Sequence, residues 1–285
     1  MGGLTPRKLR HAMVLLGLAE SPILLQLLGL DRSYLFFVFS LAWAMALYNF
    51  IEPPRRALLL GLGVYVLTGF IAVPLLLAWL QPSPAEGPNG PLSYQLLGFV
   101  FGVGVREELC KAAALGVLLL AGRLFRLRFG SREGMLYGAM SGLAFAAAEN
   151  LLALRSLGHL EEVTLAHGIP ANPTVAVALT RLALTPLAHA CWTATLGYAC
   201  TVPLAAPPGV GRRGWHRWVV IAAALALTST LHGLYDEAAS GGNRVGVGLL
   251  LALSFTITIF LIGRPTGTGT GTGTATADAK AAAIA

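Results

Sequence analysis

Two adjacent glutamates stand in the middle of a stretch able to cross a lipid bilayer, and this constrains the chain more than any other feature. Val105-Arg106-Glu107-Glu108-Leu109-Cys110-Lys111 lies inside an otherwise apolar segment over residues 95–121. That length suffices for a membrane-crossing helix. Each ionised side chain at the centre of a bilayer costs roughly 2.5–3.5 kcal/mol even on the mildest scales. Charges kept there at such a cost mark functional positions. Three further polar clusters interrupt apolar segments: Glu149-Asn150, His189, and His232 with Asp236. The four places are expected to meet in one buried site.

Composition sets the class. Of 285 residues, 55% are hydrophobic and only 12% charged, against about 25% charged in soluble domains. The chain is therefore expected to be an all-α, polytopic bundle of transmembrane helices. The net charge of +7 raises the question of a nucleic-acid partner. The cations cluster in short loops between apolar segments, which argues against one. Cys110, Cys191 and Cys200 all fall in apolar segments, with neither a CxxC motif nor a disulfide framework. They read as small buried hydrophobes.

Hydropathy predicts about eight spans, near residues 12–30, 34–51, 57–80, 95–121, 134–154, 176–201, 217–235 and 245–262. The first begins after Arg7, Lys8 and Arg10 and reads as a retained helix, since no small-x-small cleavage site follows. With the N-terminus inside, fourteen of the 20 Lys and Arg fall in inside segments and three in outside loops. That asymmetry follows the positive-inside rule and puts both termini in the cytoplasm. Residues 1–262 form the membrane-embedded domain, with the polar motifs between about 95 and 240. The Gly-Thr and Ala repeats of residues 263–285 have no means of burying a core and are expected to be a disordered tail.

Helical spacing organises the polar residues. Glu107 and Glu108 point about 100° apart. Lys111 follows Glu107 by four residues and Glu108 by three, so it reaches either. Glu149 ends a run of Gly and Ala from residue 134, small residues that let helices approach closely. Pro186 precedes His189 by three residues and is expected to open the local backbone. Asp236 lies four residues after His232, on the same helix face, where it can orient the imidazole. At about 1.5 Å per residue, Glu107 lies about 18 Å from the outer end of its span. His189 is at similar depth, and all four clusters fall in the outer half of the membrane. Structural roles compete at each place: an ion cluster pinning helices, a snorkelling Glu149, a packing His189, a helix-end Asp236. Carboxylates and histidines without an activated Ser or Cys point to water activation, a glutamate taking the proton and histidines sharing it or supporting an oxyanion. The same residue types bind zinc, although HExxH is absent.

At these residues the chain resembles the PrsW family of intramembrane proteases, related to the CAAX-protease and bacteriocin-processing superfamily. The matching positions are Glu107-Glu108-Leu109-Cys110-Lys111, Phe145-x-x-x-Glu149-Asn150, His189, and His232-Gly233-Leu234-Tyr235-Asp236. Two departures from the wider superfamily stand out: Glu149 where that group has histidine, and Lys111 where it has arginine. The resemblance implies a hydrolase cutting peptide bonds of membrane-anchored proteins, such as an anti-sigma factor, in a bacterial plasma membrane. It implies glutamic-type chemistry needing no cofactor, with zinc as the alternative. Glu107 is then the first choice for the base and Glu108 the second. His189 assists water activation, His232 with Asp236 serves the oxyanion, and Glu149 is counted with them among the catalytic residues. Lys111, Phe145 and Asn150 support them. A non-catalytic scaffold and a proton-coupled transporter are the competing functions; the chain shows no internal repeat of the kind many transporters carry.

Overall fold

The computed structural model describes residues 35–79, 92–166, 174–202 and 215–264. The expected first span, the loop at 81–91, the middle of the loop between the fifth and sixth expected spans, the basic segment around Arg212 and the tail from 265 lie outside the described residues. All regular structure among the described residues is helical. The helices are α1 (Leu35–Ile51), α2 (Arg56–Leu67), α3 (Val73–Trp79), α4 (Leu92–Leu97), α5 (Val105–Leu124), α6 (Ser131–Ala166), α7 (Thr174–Thr201), α8 (Trp215–Ser240) and α9 (Arg244–Ile262). Among the described residues, three stretches are long and apolar enough by themselves to cross a membrane: Arg56–Leu76, Trp215–Ser240 and Arg244–Ile262. His232 and Asp236 lie in the second of these stretches; the other polar motif residues lie in α5, α6 and α7.

Two helices contain wide π turns. One, Thr68–Ala72, joins α2 to α3. Pro74 follows it, lacking the N–H that would bond the carbonyl four residues back and crowding that carbonyl with its ring, and the π turn absorbs the mismatch. The other, Gly98–Gly104, joins α4 to α5 immediately before the paired glutamates. It packs on α8 at backbone contact. A Cβ on Gly104 would meet the Ser229 carbonyl, and one on Gly233 would lie 2.6 Å from the Val100 backbone.

The centre of the bundle is α6. From Met135 to Ala148 every side chain is buried, so this helix is enclosed on all sides. Gly134, Gly138 and Gly142 recur at four-residue spacing along it. A Cβ on Gly138 would meet the Thr193 carbonyl and one on Gly142 the His189 carbonyl. The small-residue run thus brings α7 against α6 with backbones touching, as the sequence predicts. Met135, Leu136, Met140 and Leu143 fill the other side against Leu47, Ile51, Val64 and Leu115.

Polar ties hold the ends. Glu133, in the first turn of α6, accepts from the Gly130 N–H at 2.7 Å and from Arg56 Nε at 3.1 Å, which locks α2 to α6. Gly242, at φ +69°, makes the turn from α8 to α9. Asn243 then caps α9 by accepting from the Gly246 N–H at 2.9 Å.

Candidate active site

The π turn ahead of α5 and its glycine contact with α8 bring Glu107 and Glu108 to the one imidazole between them. His232 Nδ1 is 3.1 Å from Glu108 Oε1. His232 Nε2 is 3.4 Å from Glu107 Oε2 and 3.3 Å from Asp236 Oδ2. The 100° between neighbouring side chains is therefore no obstacle: the imidazole occupies the angle and offers one nitrogen to each. Asp236 reaches His232 across one helical turn, at the expected i, i+4 spacing.

The two glutamates have different surroundings. Glu108 is fully buried, and Lys111 Nζ donates to its Oε1 at 2.7 Å. Lys111 is itself fully buried, 3.8 Å from Glu107 Oε2 and 3.5 Å from His232 Nδ1. Its ammonium also lies 4.4 Å from the centre of the Phe145 ring, a cation–π contact that explains an aromatic at that motif position. Arg106, the other cation beside the pair, is exposed. Glu107 is 17% exposed, and its Oε2 lies within ion-pair range of His232 and Lys111 without a hydrogen bond to either.

On the opposite wall Phe145 stacks on His189 at 5.7 Å. His189 Nε2 lies 3.2 Å from Glu149 Oε2, while its Nδ1 is buried without a hydrogen bond. The two imidazoles meet edge to face at 4.8 Å. Glu149 and Asp236, 33% and 28% exposed, stand with Glu107 on the accessible side. Asn150 is fully buried next to Glu149. Pro186 lies within α7 without ending it, one turn before His189.

Sequence reading misses several neighbours. Trp192 is buried against His232, with ring centres 4.5 Å apart and planes 21° apart. Its spacing from His189, three residues on, is the signal that could have found it. Ser141 donates to the Lys111 carbonyl at 2.9 Å. Its single proton is thereby used, so Thr68 donates to Ser141, also at 2.9 Å. The first π turn thus supports the backbone of α5 beneath the site, and the early helices do more than surround it.

Glu107, His189 and His232 each offer one ligand atom within 4.8 Å of one another, a spacing suited to a divalent metal. Each histidine presents its other nitrogen to a carboxylate, Glu149 or Glu108, the arrangement that orients metal-ligating imidazoles. The buried His189 Nδ1 and Glu107 Oε2 lack hydrogen bonds, as ligand atoms awaiting an ion would. The residues fit a metal. Lys111 counts in the other direction, since its ammonium already supplies a cation 3.8 Å from Glu107.

A helical, apolar bundle that gathers carboxylates and histidines around one accessible edge has the makings of a hydrolase working within a membrane. The chain belongs to the PrsW family of intramembrane metalloproteases, whose family model matches residues 53–262. The match takes in all four motifs and every helix described except α1. The protein is accordingly an intramembrane protease, a hydrolase of peptide bonds whose substrate is a membrane protein in a lipid bilayer. This decides for the enzyme over the scaffold and the transporter. Comparison with curated proteins and with solved structures gives no match.

Proposed function

We propose that this protease cuts a membrane-anchored protein with a water activated by Glu107. The observation carrying this reading is the state of Glu107: its side chain is partly accessible, while its buried Oε2 has no hydrogen bond and lies 3.4 Å from His232 Nε2. Glu107 takes a proton from the water as the oxygen attacks the scissile carbonyl. Protonated His232, held through Nδ1–H by Glu108, turns its Nε2–H from Asp236 to the developing oxyanion. His189, oriented by Glu149, holds the water. The carboxylic acid of Glu107 then returns its proton to the leaving amine. Glu108, fully buried and occupied by Lys111 and His232, is the weaker candidate for the base. Lys111 balances the charge of Glu108.

The donor set and the family's description support a second reading, in which Glu107, His189 and His232 hold a divalent metal. Bound there, a zinc-class ion supplies Lewis acidity toward water and carbonyl. The rest of the chain does the same work in either case: Glu149 and Glu108 orient the imidazoles, and Lys111 and Phe145 set the position of Glu108.

The arginine distribution supports eight spans with both termini in the cytoplasm, so the site lies in the outer half of a bacterial plasma membrane. A membrane-anchored regulator such as an anti-sigma factor fits as substrate. Two experiments test the proposal. Purified protein in liposomes should cleave a transmembrane peptide in chelator; activity lost on chelation and restored by zinc, with bound zinc by elemental analysis, selects the metal reading. In cells, new N-termini on membrane proteins should be produced by wild type and not by Glu107→Gln. Full cleavage by Glu107→Gln would refute both readings.

A further inference from the structure

The last helix, α9, is mostly covered by apolar side chains facing outward, including Val245, Leu249, Leu253, Ile259 and Phe260. Two hydroxyls four residues apart, Ser254 and Thr258, break the pattern, and both are buried to 2% exposure. They face α7. Ser254 Oγ donates to the Leu250 carbonyl at 2.7 Å and accepts from Trp192 Nε1–H at 2.8 Å. Thr258 has one proton, which the Ser254 carbonyl at 3.0 Å and the Cys191 carbonyl at 3.4 Å share. An apolar residue at 254 would fill the space equally well, but it would leave a buried indole N–H without an acceptor.

Trp192 passes this anchoring on. Its ring is 1% exposed, stacked on His232, edge-on to His189 at 5.2 Å, and closed from behind by Tyr235 at 5.5 Å. The carboxylates of Glu108, Glu107 and Asp236 decide which nitrogen of His232 points where. They leave the tilt of the ring plane open, because each contact tolerates a range of angles. An indole face stacked at 4.5 Å, its plane 21° from the imidazole, narrows that freedom.

We propose that Trp192 is a positioning residue for His232, held in place by Ser254 of α9. The last helix, which supplies no motif residue, thereby sets the plane of the imidazole that faces Glu107. This rests on the proposal that His232 acts on the reacting peptide bond. Ser254 and Trp192 are buried, and Trp192 acts through the imidazoles it packs against, His232 on its face and His189 edge-on.

The test uses the full-length protein in liposomes with a transmembrane peptide substrate, comparing wild type, Ser254→Ala, Trp192→Phe, the double variant and His232→Gln. Phenylalanine keeps a stacking ring and loses the N–H. Each single variant should lower kcat roughly tenfold or more, as misplacing a reacting group does, with KM within about a factor of two. The double variant should be no worse than Trp192→Phe alone, since both changes break one connection. Tryptophan emission should shift to shorter wavelength in Ser254→Ala, and Ser254→Ala should add no shift in the Trp192→Phe background. Wild-type kcat in Ser254→Ala and Trp192→Phe, a change confined to KM, or additive losses in the double variant would overturn the proposal while a dead His232→Gln leaves the role of His232 standing. Wild-type cleavage by His232→Gln would overturn both.

Discussion

Glu107 and Glu108 are neighbours of the same type, yet their surroundings assign them different tasks. Glu108 shares a fully buried pair with Lys111, so removing either partner strands a charge away from water. Lys111→Ala should lower stability by about 3–5 kcal/mol, read as a fall in the thermal midpoint in detergent. Glu107 has no hydrogen bond on Oε2 and stands at the accessible edge. Glu107→Gln should leave the midpoint near wild type while lowering kcat by about 10²–10⁴-fold, the usual contribution of a general base. A large loss of stability in Glu107→Gln, with Lys111→Ala unaffected, would reverse the assignment. The spacing of Lys111 from both carboxylates was legible in the sequence. Which carboxylate it holds was not, because the i+3 and i+4 partners are both within reach on a helix and the choice falls to His232, 121 residues away.

The contact between α6 and α7 is a backbone contact, and glycine alone permits it. A Cβ on Gly142 would lie 2.6 Å from the carbonyl carbon of His189, and that atom is not a side-chain end that can swing aside. Gly142→Ala should therefore push α7 away, cutting both the yield of folded protein and the cleavage rate. Gly116 of α5 has open space where its Cβ would be. Gly116→Ala should keep full activity and gain up to about 1 kcal/mol from helix propensity, which a melt of the two variants side by side will show. The small-residue run of α6 was readable as a close-packing helix. The π turn at Gly98–Gly104 was not, since no proline follows it and its cause is the fit to Ser229 and Gly233 on α8.

Among the described residues, five exposed arginines lie together at one end of the helices. Arg55, Arg56, Arg123, Arg126 and Arg128 are exposed around the start of α2 and the α5–α6 loop, whereas the turn from α8 to α9 carries Arg244 alone among Lys and Arg. The topology proposed here puts the first group in the cytoplasm. A cysteine at Asn243, in a background lacking Cys110, Cys191 and Cys200, should react with an impermeant maleimide added to intact cells. A cysteine at Arg128 should react only after the membrane is opened. The opposite pattern would invert the topology and turn the accessible edge of the site toward the cytoplasm.

The sequence by itself determined the class of protein and the roster of its chemistry. Composition marks an apolar helical chain, and charge burial singles out Glu107, Glu108, Lys111, Glu149, His189, His232 and Asp236, because ionisable groups in apolar segments are costly wherever the helices pack. It also determined the contacts within one helix, Lys111 with the glutamates and Asp236 with His232, because helical periodicity is local. Only the tertiary structure decided the contacts between helices: His232 between two carboxylates, Phe145 on Lys111, Ser141 beneath α5, and Trp192 held by Ser254. Those depend on the rotation of each helix about its axis and on how closely two backbones approach. Both are set jointly by side chains far apart in the chain, and no single segment carries that information.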